Sequence, residues 1–151
     1  MAVGAGSVRG MARYPVDHAG LEILPFGRCL ELLATVQVGR VSFFADGEIV
    51  TLPVNYVVDG QDPVFRTAHG SKLSAAEGQD LVAFEADAYD DASRSGWSVL
   101  VSGRAQAVYE ADEIRRLSRL GLRPWVSDED RSFWVRIRPT SISGRRTPVP
   151  G

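Results

Sequence analysis

Arg40-Val41-Ser42-Phe43-Phe44-Ala45-Asp46-Gly47-Glu48-Ile49-Val50-Thr51-Leu52 holds two β-rich runs around an Asp-Gly pair, the strongest short-range hairpin signal a sequence carries. The second run continues through Pro53, Val54, Asn55 and Tyr56 to Asp59-Gly60-Gln61-Asp62-Pro63, which marks a second hairpin. Val64-Phe65-Arg66-Thr67 then forms a third strand. Tight turns of this kind join antiparallel neighbours, whereas parallel strands need long crossovers. Pro53 inside the second strand predicts an edge, a bulge, or backbone groups that face something other than another strand.

Upstream of this sheet, Pro25 precedes Phe26, Leu30, Leu33 and Ala34 at helical spacing. The pattern predicts a helix over residues 26–36 that Gly39 stops. Downstream, residues 71–78 predict a short helix with Ser71 as N-cap and with Leu73 and Ala76 facing inward. Residues 81–86 read as a fourth strand and Asp87-Ala88-Tyr89-Asp90-Asp91 as an acidic turn. The alternation over residues 97–109 predicts a long strand, bent or bulged at Gly103. Residues 112–120 predict a helix with Asp112 at its cap, Ile114, Leu117 and Leu120 on one face and Gly121 at its end. Residues 133–142 make the last strand. Six or so antiparallel strands with two to three short helices between them specify an all-β barrel or an α+β domain, not a doubly wound sheet. Residues 1–20, without a period, read as a loose arm before a domain over 21–147 and a tail over 148–151.

The chain has 151 residues and a mass of 16.4 kDa, which suits one domain. Hydrophobic residues at 44% and charged residues at 24% place it among globular proteins. No apolar run approaches the roughly 20 residues of a membrane-spanning helix. A net charge of -2 argues against bulk attraction to nucleic acid or to anionic lipid. Cys29 is the single cysteine, so an internal disulfide and a Cys-rich zinc site are both excluded. The sequence opens without a cationic start and an apolar signal core, and the expected compartment is the cytoplasm. Lys72 is the only lysine in a basic set that is otherwise all arginine.

That lysine lies in Arg66-Thr67-Ala68-His69-Gly70-Ser71-Lys72-Leu73, where a strand ends in Thr, a Gly-containing turn follows and a helix begins. Two hydroxyls, one ammonium and the backbone N–H groups of a helix start would make an anion or phosphate site. The same residues also suit an ordinary capped helix with a solvated Lys. His18 and His69 are the only histidines, and no metal-ligand spacing joins them. Ser71 and Ser98 lack the nucleophile elbow of a hydrolase. Cys29 sits on the apolar side of its helix and reads as packing. Trp97, Trp125 and Trp134 stand beside strands, where such rings either stack on a planar ligand or pack in a core or a dimer contact.

Taken together the segments resemble the FMN-binding split barrel of the pyridoxamine 5′-phosphate oxidase-like superfamily, and more closely its actinobacterial and nitroimidazole-reductase-like branch. The carrying stretches are Val38-Gly39-Arg40-Val41, Leu52-Pro53-Val54-Asn55-Tyr56-Val57-Val58-Asp59-Gly60, and Val64-Phe65-Arg66-Thr67 through Gly70-Ser71-Lys72-Leu73. To these are added Gly96-Trp97-Ser98-Val99-Leu100-Val101-Ser102-Gly103-Arg104-Ala105, Arg136-Ile137-Arg138-Pro139 and Ile142-Ser143-Gly144-Arg145.

The resemblance implies a mainly β (α+β) fold, a six-stranded antiparallel split β-barrel with short flanking helices. It further implies a homodimer with two equivalent cofactor sites between the subunits. Its phosphate-binding signature falls on Thr67, Ser71 and Lys72, beside Arg66 and Leu73. The flavin ring would lie along Leu52, Pro53, Val54 and Asn55, with Ser98 approaching from the long strand and Trp97 as its neighbour. Two features depart from true pyridoxamine 5′-phosphate oxidases. Thr51 and Tyr56 stand where those enzymes carry Arg and Lys, and the chain lacks their Arg-His-rich C-terminal segment. Vitamin B6 oxidation is therefore not expected. The expected activity is FMN-dependent hydride transfer to a small electrophile, a nitro compound or a quinone, with no side chain required as acid or base. The alternatives are a reductase using the deazaflavin F420, with Arg104, Arg145 or Arg146 holding its acidic tail, and a non-catalytic binder of flavin, haem or another tetrapyrrole. Haem would be favoured if His69 faced the pocket.

Overall fold

A computed structural model of the chain describes residues 13–125 and 132–148. Its elements are β1 (Glu22–Ile23), α1 (Phe26–Leu33), β2 (Val38–Ala45), β3 (Glu48–Asp59), β4 (Asp62–Thr67), α2 (Ser71–Glu77), β5 (Leu81–Asp90), β6 (Ser95–Val108), α3 (Ala111–Ser118) and β7 (Phe133–Arg146). Strands are hydrogen-bonded in the order β1-β7-β4-β3-β2-β5-β6, and a further β6–β7 pairing closes the sheet on itself. The result is the six-stranded antiparallel barrel that the resemblance implied, its pairing antiparallel as the turn chemistry predicted, with β1 added at its side as a strand that the sequence reading did not foresee.

The β2–β3 hairpin turns at Asp46 and Gly47, both with positive φ (53° and 79°), the backbone that a two-residue turn between right-twisted strands demands. From that turn the register runs Ala45↔Glu48 to Val38↔Asn55, which sends alternate residues to opposite faces. Val41, Phe43, Val54, Tyr56, Phe65, Phe84, Val99, Val101, Val135 and Ile137 point inward and form the core. Cys29, Leu32 and Leu33 of α1 and Ala75 and Ala76 of α2 complete it. A second, smaller cluster lies outside the barrel, where Leu117 of α3 packs on Val64 and Trp134. The β6–β7 ladder slips by one residue between Ser102 and Gly103, the irregularity expected at Gly103. A Cβ there would lie 2.2 Å from the Arg138 carbonyl oxygen, so the bulge needs a residue without a side chain.

Several local expectations need correction. α1 stops at Leu33 and not Val36, because Thr35 turns back onto the Leu32 carbonyl through its N–H (3.0 Å) and its Oγ1 (2.6 Å). Gly39 is accordingly part of β2 and ends no helix; its missing side chain makes room for Phe84, whose ring atom would be 2.4 Å from a Cβ. Gly70, not Ser71, is the N-cap of α2, and no side chain caps that helix. α3 takes Glu110 as N-cap, with Asp112 inside its first turn, and ends at Ser118; Leu120 is exposed while Ile114 and Leu117 pack. The acidic turn begins later than expected. β5 continues through Asp90, paired with Ser95, because Asp87 and Tyr89 alternate with Ala86 and Ala88 as a strand requires.

Within the segment expected as an arm, the described residues carry bonds to the barrel. The Arg13 N–H donates to Glu22 Oε1 at 2.5 Å, the Ile23 N–H to the Pro15 carbonyl at 2.7 Å, and Val16 bridges Glu22. Glu22 is fully buried against Arg146 Nε at 2.7 Å. Among the described residues no helix is long and apolar enough to cross a membrane, and no group of three His, Cys, Asp or Glu side chains is placed to hold a metal ion.

Candidate functional site

β3 outruns its partner. Its pairing with β4 extends only from Asp59↔Asp62 to Tyr56↔Phe65. Beyond that point Asn55 and Arg66 are the next residues of two diverging strands, and residues 52–55 keep β2 as their ladder partner, with Pro53 opposite Arg40. This accounts for the proline: it occupies a stretch where one edge of the strand is open. Val54 is buried in the barrel, so Pro53 and Asn55 face outward and Leu52 shares the inner side. The Asn55 Oδ1 accepts the Trp125 N–H at 3.2 Å, while among the described residues its buried Nδ2 has no acceptor.

β4 delivers the other half of this corner. Arg66 faces outward with its guanidinium 5.6 Å from the Trp134 ring centre. Thr67, buried at the strand end, turns its Oγ1 to 3.3 Å from the Ala68 carbonyl. The chain then passes His69 and Gly70 into α2, where Ser71 is exposed, Lys72 half-buried and Leu73 buried in support. A Cβ on Gly70 would meet nothing within 4 Å, so the space over the turn is open. Arg66, Thr67 and residues 71–73 thus follow one another from the end of β4 into α2, and residues 52–55 lie on the neighbouring strand past the last β3–β4 pair; α2 itself packs on β6, β2 and β7.

Trp97 and Ser98 lie elsewhere on the barrel. Ser98 pairs with Asp87 and Arg145, and Trp97 with Ala88 and Arg146. Trp97 packs against the core, which leaves Ser98 on the outer face. Between Ser98 and the β3 strip stand β2 and β5, and on their outer face is a group that sequence reading missed. Arg40 Nη1 reaches Glu85 Oε1 at 3.0 Å and Asp87 Oδ2 at 3.2 Å. Burial, and then the hydrogen bond and charge of Asp87, push the Glu85 carboxyl up to about 7. Arg40 is cross-strand to both Pro53 and Glu85, so this cluster spans the gap between the two parts of the candidate site.

The remaining candidates are committed to other contacts. Tyr56 is buried, donates to the Leu33 carbonyl at 2.6 Å, and its phenol is raised well above the usual range by that burial. Thr51 shares a 2.8 Å hydrogen bond with Ser42. Neither position supplies a cation. His69 lies edge-on to Phe133 at 4.6 Å. Arg145 is paired with Asp17 at 3.1 Å and Arg146 with Glu22. Arg104 binds the Gln79 carbonyl at 3.0 Å, six positions along β6 from the Ser98 that pairs with Arg145, or about 20 Å of strand. These three arginines do not line one groove. Cys29 is fully buried and its thiol is raised by that burial, which fits packing.

Comparison with known proteins adds a family to this geometry. The family model described as pyridoxamine 5′-phosphate oxidase matches residues 27–146. An uncharacterized protein of Mycobacterium tuberculosis is 38% identical over 78% of this chain and 79% of its own length. The structure of the FAD binding protein from Mycobacterium smegmatis is 37% identical, covers 84% of this chain and 98% of its own, and superposes with a TM-score of 0.71. The FAD and heme binding protein from the same organism shares the fold at a TM-score of 0.64 and 18% identity, covering 83% of this chain and 73% of its own.

Proposed function

The chain belongs to the pyridoxamine 5′-phosphate oxidase family, and from that premise we propose that it binds a flavin nucleotide, FMN in our reading, and serves as a flavin-dependent oxidoreductase acting on a small electrophile such as a nitro compound or a quinone. The observation that carries this reading is the corner where β3 and β4 part. A strand-end threonine, an exposed serine and the single lysine of the chain follow one another there beside an open strand edge. The M. smegmatis relative, an FAD binding protein, supports a flavin in the same fold.

The donor set suits the group. Thr67, Ser71 and Lys72 would hold a phosphate through hydroxyl and ammonium donors. Residues 52–55 would lie along the ring, and the buried Nδ2 of Asn55, with no acceptor among the described residues, is a donor that a ring carbonyl would satisfy. A bound flavin supplies hydride transfer; the protein supplies position and electrostatics. The absence of cations at Thr51 and Tyr56 supports the view that the substrate is not a B6 vitamer. We place the site between two copies of the chain, because two strands separate Ser98 from the β3 strip on the outer face and a second subunit would roof that interval.

The test is an absorbance titration of the purified protein with FMN, FAD and F420. Paired visible and near-ultraviolet flavin bands are expected, with FMN bound more tightly than FAD; tighter FAD would correct the nucleotide toward that of the M. smegmatis relative. Ser71→Ala combined with Lys72→Ala is expected to weaken binding tenfold or more, since each charge-assisted bond is worth about 1.5–3 kcal/mol. Full occupancy in that double variant would show the phosphate site to be wrong. A Soret band, or F420 binding in place of flavin, would replace the reading.

A further inference from the structure

Beside the β3 strip, a cleft of about 290 Å³ opens between the end of α1, β3 and the segment that follows α3. Leu33, Val36, Val58 and Leu120 give it apolar walls, and Gln37 and Arg123 line it with polar groups. Two hydrogen bonds keep it in shape. The Tyr56 N–H donates to the Gln37 carbonyl at 3.0 Å, and the Trp125 N–H to Asn55 Oδ1 at 3.2 Å ties the post-α3 segment to β3. The Tyr56 hydroxyl is already spent on the Leu33 carbonyl, which leaves the amide of Gln37 and the guanidinium of Arg123 as the groups able to recognise a ligand.

The charge decides what that ligand is. Among the described residues no carboxylate pairs with Arg123, whereas Arg115, Arg116 and Arg136 on the adjoining elements all have acidic partners. A cationic fork at the mouth of an apolar slot selects a flat molecule that ends in an acid group. The bond from Trp125 to Asn55 makes the cleft the direct neighbour of the strip along which the ring is proposed to lie.

We propose that this cleft binds a small planar aromatic anion, with its acid group on Arg123 and its ring between Val58 and Leu120, and that it is the substrate subsite. The second half of the statement rests on the flavin reading above. Calorimetric titration of the whole protein with 4-nitrobenzoate and with nitrobenzene, before and after loading with FMN, tests both halves. The nitrobenzoate is expected to bind more tightly. Arg123→Ala is expected to weaken it about tenfold, as the loss of one charge-assisted contact would, and to leave nitrobenzene unchanged. Leu120→Trp, at an exposed position, fills the slot and is expected to block both. Wild-type affinity for nitrobenzoate in either variant, or no binding by the parent protein, overturns the proposal. Nitrobenzoate bound through Arg123 by a protein that takes up no flavin would uphold the binding site and overturn only the oxidoreductase reading.

Discussion

At Glu85 the chain holds a carboxylate on the outer sheet face with one like-charged neighbour on its own strand and one guanidinium opposite. Burial and Asp87 raise its pKa from an ordinary 4.5 to about 7, against the pull of Arg40. Between those values the folded protein binds more protons than the unfolded chain, so the stability this group contributes is full below about pH 4.5 and is lost as pH rises through 7. Denaturant unfolding at pH 5 and pH 8 is expected to show lower stability at pH 8, and Glu85→Gln to flatten the difference. Asp87→Asn is expected to lower the Glu85 pKa, read from its side-chain carboxyl resonance; an unchanged titration would mean that burial alone sets it. Nothing local in the sequence announces this group. Arg40 and Glu85 are 45 residues apart, and only the β2–β5 register makes them neighbours. The strand end at Thr67 and the helix start at Ser71 are the opposite case, legible because strand end, turn and helix start are consecutive in the chain.

Between elements, the charge network over α3 works differently from a surface pair. Arg136, with its side chain 7% exposed, meets Asp59 Oδ2 at 2.8 Å, Asp62 Oδ2 at 2.7 Å and Glu113 Oε1 at 2.7 Å. It so joins β7, the β3–β4 turn and α3 above the cluster of Val64, Leu117 and Trp134. Arg116 binds the same Asp59 from α3, but its side chain is 48% exposed. Removing Arg136 takes from the largely buried Asp62 its close partner and leaves it Arg138 at 3.7 Å, while Asp59 keeps Arg116; Arg136→Ala is expected to cost about 3–5 kcal/mol. Arg116→Ala is expected to cost far less, because solvent screens an exposed pair. Equal losses on denaturant unfolding would show that burial does not distinguish the two arginines. Asp59 is held well below the usual carboxylate range by its hydrogen bonds to Arg116 and then Arg136. Its contribution is present above the ordinary carboxyl pKa and is lost as pH falls below it, opposite in sign to that of Glu85. The elements that were readable are those whose signals are local, such as the Asp46-Gly47 turn and the alternation of β6. Those misread at their ends, α1, α2, α3 and β5, are settled by backbone details that residue type alone does not announce: the bonds of Thr35 to the Leu32 carbonyl, the caps at Gly70 and Glu110, and the pairing of Asp90 with Ser95. The two-residue β1 exists only because β7 offers it an edge.

For the molecule as a whole, the outer face of β2, β3, β5 and β6 is the surface to be explained. Phe44 and Ile49, cross-strand neighbours, are 68% and 69% exposed, and Leu100, opposite Glu85, is 46% exposed. Apolar side chains grouped on a sheet face that also carries a half-buried ion cluster are what a subunit contact would cover. Covering it in a second copy would enclose the interval between Pro53 and Ser98 that one chain leaves open. Sedimentation velocity is expected to give a dimer at micromolar concentration, as an interface of about 1,200–2,000 Å² allows. Leu100→Glu adds a carboxylate directly across from Glu85 on a surface position, where the fold should tolerate it. That variant is expected to sediment as a monomer with unchanged circular dichroism and to lose its flavin in step with its partner. A parent protein that is monomeric and still binds flavin would remove the second subunit from the site. A monomeric Leu100→Glu that keeps its flavin would leave the dimer in place and return the whole of the cofactor to the corner where β3 and β4 part.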